Sequence, residues 1–135
     1  MSELAMIEAV RGSAAVSGGP RPTRPTAMTM VIEGEIGAEE LADIGEMLLK
    51  LSFDGVTDLV MDLRGVSHLD YRGIPALARR AEVFRELGGD VKLAGLSSYL
   101  FTIFQAAGAN DAFDFFADVG DAQRSFHDAV MVQGH

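Results

Sequence analysis

The sequence predicts an α/β domain with a mostly parallel central sheet of four to five strands and about four helices. Two observations carry this expectation. Short apolar runs of strand length alternate with longer runs whose apolar residues recur every three or four positions. The connections between them are short, which makes sequential strands parallel and their crossovers right-handed. A chain of 135 residues is one domain with a sizeable core rather than two.

The elements are expected as follows. Leu4–Val10 reads as a short strand, followed by a loop or flexible linker over 11–26 that holds three of the four prolines. Residues 1–27 are thus an N-terminal strand and/or flexible Pro/Gly-rich segment, and 28–135 the folded domain. Thr29–Ile36 is a better strand. From Ala38 the period changes: Leu41, Ile44, Leu48 and Leu51 lie on one helical face, with Glu39 and Glu40 in the first turn, where the helix dipole favours acids. Thr57–Leu63 carries the continuous run Leu59-Val60-Met61, which fits a strand buried on both faces. Ile74, Leu77, Ala81 and Phe84 mark a second helix, closed by Leu87-Gly88-Gly89. Val91–Leu96 is the next strand, and Ser97 or Ser98 can cap a helix whose buried face is Leu100, Ile103, Phe104 and Ala107. Phe113–Phe116 forms a last short strand, and Asp118 or Asp121 opens a final helix carrying Ala122, Phe126, Ala129 and Val130.

Composition narrows the function. A net charge of −9 disfavours broad contact with a phosphate backbone, and the absence of cysteine removes disulfides, thiolate metal sites and cysteine nucleophiles. The N-terminal stretch lacks the pattern of a signal peptide and no run is long enough to span a bilayer, so the expected location is the cytoplasm without membrane insertion. His68 and Asp70 would share a strand face, yet no third ligand accompanies them. Ser67, His68 and Asp70 lie too close together on an extended strand for a catalytic relay, and no nucleophile elbow is present. No enzyme is expected. Of the arginines between 64 and 85, Arg79 and Arg85 each lie three residues from Glu82, as solvated paired residues would.

One stretch stands apart: Ser67-His68-Leu69-Asp70-Tyr71-Arg72-Gly73-Ile74-Pro75. Proline is tolerated only in the first helical turn, so Pro75 places the helix cap at residue 72 or later. Arg72 in that role offers no acceptor to the free amides and puts a cation at the positive helix end. A local rule broken this way marks a functional site, and Asp70 is placed to soften the cost by pairing with the guanidinium.

At these residues the chain resembles a STAS domain, the fold of anti-sigma-factor antagonists, from about Met30 to Ala129. The strongest stretch is Leu59-Val60-Met61-Asp62-Leu63-Arg64-Gly65-Val66-Ser67-His68-Leu69-Asp70, followed by Gly73 and a helix. Gly34-Glu35-Ile36, Gly89–Leu96, Ala107-Gly108 and the helix near Asp121 support it. The resemblance implies a STAS-type single domain, with 28–135 as the STAS domain. It implies a non-catalytic regulatory module whose partner is an anti-sigma factor or kinase-like protein. In the family the hydroxyl residue just before this glycine is phosphorylated, and that breaks the complex. Here Tyr71 and Arg72 replace both hydroxyl residues, so the usual switch position, Arg72, cannot take a phosphate. Gly37 also stands where the facing loop usually carries Asp. The contact surface is expected at Asp70, Tyr71, Arg72, Gly73, Ile74 and Pro75, with no metal and no cofactor. Two other readings stay open: phosphate or nucleotide binding at the Arg72 helix start, and service as the STAS subunit of a transporter or multi-protein assembly. A homodimer is compatible with each.

Overall fold

The structure, a computed structural model, describes residues 6–11 and 27–133, with side chains described over 27–126. The linker expected within 11–26 lies almost wholly outside the described residues, as does the start of the strand expected at Leu4. Five strands form one sheet in chain order: β1 (Met6–Arg11), β2 (Met28–Ile36), β3 (Asp58–Leu69), β4 (Asp90–Ala94) and β5 (Asp114–Phe116). β1 runs antiparallel to β2, and the three remaining pairings are parallel. Helices α1 (Ala38–Phe53), α2 (Ile74–Glu86) and α3 (Ser98–Ala106) bridge the parallel strands, and α4 (Val119–Gln133) follows β5.

The period-2 geometry of β3 sorts its buried residues between two cores. Leu59, Met61 and Leu63 join the main core with Leu41, Ile44, Leu48, Leu77, Phe84 and Phe104 from the first three helices. Val60 faces the other way, packing with Ala94, Ala122 and Phe126 beneath α4. The strand buried on both faces is therefore the middle layer of three. Each apolar helix stripe read from the sequence is buried, apart from Leu51 and Ala107, which are half-buried, and Ala129 and Val130, whose side chains are outside those described. Ser97, not Ser98, caps α3, its hydroxyl accepting from the Leu100 amide at 3.1 Å.

β3 is longer than the sequence suggested, ending at Leu69 rather than Leu63. β2 explains the difference: it pairs with β3 from Leu59 to Leu69, absorbing two register shifts on the way. β4 pairs only from Asp58 to Asp62. The second half of β3 therefore projects past β4, carrying the chain to the carboxyl end of the sheet beside the start of α3.

Candidate functional site

The projecting strand ends at Asp70, whose amide donates to the Ile36 carbonyl at 3.0 Å and ties the turn to the end of β2. Tyr71–Gly73 then form one 3-10 turn before α2 begins at Ile74, with Pro75 in its first positions. The cap of α2 falls on Gly73, within the expected range of 72 or later, and not on Arg72. Pro75 constrains only the α-helix, and an extra turn lets Asp70 cap from upstream. Asp70 Oδ1 accepts the Arg72 amide at 3.0 Å and Arg72 Nε at 3.0 Å, while Oδ2 accepts Nη2 at 2.7 Å. Arg72's own amide is satisfied and its cation has a counter-charge, while the first amides of α2 receive no side-chain cap from Gly73. Donation from the Arg72 side chain, then from its amide, holds the Asp70 carboxyl down at about 2 from an ordinary 3.8.

The predicted contact residues divide by depth. Tyr71, Arg72 and Pro75 are exposed, Arg72 with 74% of its side chain in solvent. Asp70 is half-buried under its arginine. Gly73 lies flat against α1: a Cβ there would stand 2.9 Å from Leu41 Cδ1 and 3.4 Å from Ala38 Cα. Close approach, not backbone conformation, requires glycine at this point. Ile74 is fully buried in the main core, so its side chain supports the surface and cannot face a partner.

Across from the turn, α3 completes a groove of about 500 Å³ lined by His68, Leu69, Asp70, Tyr71 and Arg72 on one side and Thr102, Ile103 and Ala106 on the other. His68 Nδ1 and the Tyr99 hydroxyl share a hydrogen bond of 2.7 Å, and the two rings stack with centroids 5.9 Å apart. His68 and Asp70 thus serve different partners rather than one site. The α3 wall was missed from the sequence because its link to the turn spans 31 positions. A signal was present: exposed Tyr99, Thr102 and Ala106 step by three and four beside the buried stripe.

Three of the other arginines between 64 and 85 are tied elsewhere. Arg85 pairs with Glu82 and Asp90, Arg80 reaches Glu46 on α1, and Arg64 grips Asp62. Glu82 does not also pair with Arg79, which has no ion pair among the described residues. Gly37 caps α1 by donating its amide to Glu40 Oε1 at 3.0 Å, so one of the two early acids closes the helix start itself.

The model of the STAS domain family matches residues 20–122. The anti-sigma-B factor antagonist of Bacillus subtilis is 31% identical over 86 residues, covering 64% of this chain and 78% of that protein. An anti-sigma factor antagonist from Mycobacterium paratuberculosis superposes with a TM-score of 0.65 at 17% identity, covering 90% of this chain and 92% of the other. A sulfate transporter family protein from Wolinella succinogenes gives a TM-score of 0.62 at 21% identity, covering 72% and 81%.

Proposed function

The chain belongs to the STAS domain family, and from that premise we propose that it is a non-catalytic regulatory module that binds a protein partner through the Asp70–Pro75 turn. The reading follows the Bacillus subtilis relative, an antagonist of an anti-sigma-B factor, at 31% identity. In this reading the partner is an anti-sigma factor or a kinase-like protein in the cytoplasm, and the module works without phosphorylation at the usual position, Arg72. The observation that supports it most is the exposed pair Tyr71 and Arg72 on a turn fixed by Asp70. Tyrosine and arginine are the residue types that dominate interface energetics, and a turn already ordered loses little freedom on binding. Arg72 carries no hydroxyl, so a kinase has no acceptor there. The anion-site reading is the weaker one, because Asp70 already takes the Arg72 amide that a phosphate at this helix start would use.

The test is affinity purification from the native host, identification of the bound protein, and titration of that protein against the Tyr71→Ser/Arg72→Ser double variant. Binding at least tenfold weaker, about 1.4 kcal/mol, is expected. Unchanged binding rejects this surface, and co-purification of a transporter in place of an anti-sigma factor favours the assembly role.

A further inference from the structure

Resting on the contact surface proposed above, we infer that the partner presents a carboxylate beside an apolar side chain. The apolar group enters the groove between the turn and α3, and the carboxylate docks end-on to Arg72. Arginine has five N–H donors, and Asp70 takes Nε–H and one Nη2–H, which leaves the outer edge formed by Nη1 and Nη2 free. That edge is the fork that matches a carboxylate with two parallel hydrogen bonds. Asp70 holds it in a single orientation before any partner arrives, which removes much of the ordering cost of a long side chain.

The surroundings favour an acid arriving from one side. This is a chain of net charge −9, and Glu35 and Glu39 stand exposed at the strand end and helix start on the α1 side. The α3 side is different: no charged residue occurs between Lys92 and Asp111. The exposed residues of that wall, Tyr99, Thr102 and Ala106, are all uncharged. A carboxylate moving along α3 therefore meets no acidic side chain from that wall, and the one carboxylate lining the groove, Asp70, is already paired with Arg72. The floor is apolar, formed by Leu69 and Ile103, both buried, and gives the neighbouring side chain a dry seat. A phosphate would accept from the same guanidinium edge but has no use for this floor.

The experiment follows backbone amide and Arg72 Nε–H shifts of the isotope-labelled full chain. The probes are the acetylated peptide amides Gly-Ser-Leu-Glu-Ser-Gly, its Gln-for-Glu and Ser-for-Leu counterparts, and inorganic phosphate. Saturable shifts at Tyr71, Arg72 and Ala106 are expected with the Leu-Glu peptide at millimolar concentration, and binding about fivefold weaker with either counterpart. Ala106→Phe fills the groove from an exposed helix position, and Arg72→Leu removes the fork; each should abolish the shifts while leaving Tm within about 2 °C. Equal binding of the Glu and Gln peptides, binding that survives Ala106→Phe, stronger shifts with phosphate alone, or no saturable shift up to about 10 mM peptide overturns the inference. With the co-purified partner, loss of binding in Tyr71→Ala but not in Arg72→Leu keeps the contact surface and overturns the carboxylate. Loss in neither overturns both.

Discussion

The same three-residue device occurs twice in this chain, once inside the sheet and once on its rim. In Asp62-Leu63-Arg64 the carboxylate accepts the arginine amide at 3.1 Å, Nε at 3.1 Å and Nη2 at 2.9 Å. In Asp70-Tyr71-Arg72 the corresponding distances are 3.0, 3.0 and 2.7 Å. The guanidinium is well exposed in both. What differs is the cover over the acid: the Asp62 side chain is 5% exposed and that of Asp70 18%. Asp62 shares the face of Val60 beneath α4, and Gly95 closes over Arg64, where a Cβ would stand 2.4 Å from Arg64 Cγ. Among the described residues nothing comparable lies over the second pair, which borders an open groove. Identical local chemistry thus becomes a rivet where the sheet is covered and a displayed fork where the strand outruns its neighbour.

The contrast can be broken most directly at the glycines beside each pair. Gly95 has φ +81, so Gly95→Ala costs about 1–2 kcal/mol in backbone strain alone and must also push Arg64 aside. Gly73→Ala adds no backbone strain, since φ is −91, but crowds the buried Leu41 at both Cδ1 and Cβ, at about 1 kcal/mol. Thermal unfolding of the two variants should rank them in that order, and the reverse ranking would mean the rim is the more tightly built region. Next in size, Arg64→Ala strands a covered carboxylate and should lower Tm by about 5 °C, whereas Arg72→Ala should lower it by less than about 2 °C.

The third comparison is by pH. The folded Asp70 carboxyl sits at about 2, below its ordinary 3.8. Its contribution to stability is therefore fully present above about 4 and drains away as pH falls from there towards 2. A carbon-detected titration of Asp70 should show a midpoint near 2, moving back towards 3.8 in Arg72→Ala. A wild-type midpoint near 3.8 would mean that the fork is not held in solution.

The fold was largely legible because helical stripes and apolar strands are local patterns. Ile74, Leu77, Ala81 and Phe84 announce their burial by spacing alone. The site was legible only in part. Asp70 was read as a partner for Arg72, but not as the cap, because a single turn of 3-10 helix leaves no periodicity to detect. The length of β3 escaped because Arg64 and Gly65 look like the end of a strand, while pairing to β2 carries it on through shifted register. The α3 wall escaped for a tertiary reason: only the folded crossover brings Tyr99 and Thr102 beside the turn.

The triple use of Asp70 sets an order on how this turn can evolve. Replacing Asp70 first would uncap the Arg72 amide and leave a cation unanswered at the start of α2. Replacing Arg72 first leaves the Asp70 carboxylate free to cap the amide of whichever residue follows, since that bond belongs to the backbone. On stability alone, position 72 is freer to vary than position 70, where only another acceptor side chain keeps the cap. A hydroxyl residue at position 72 would keep the Asp70 cap and the backbone of this turn while giving up the fork.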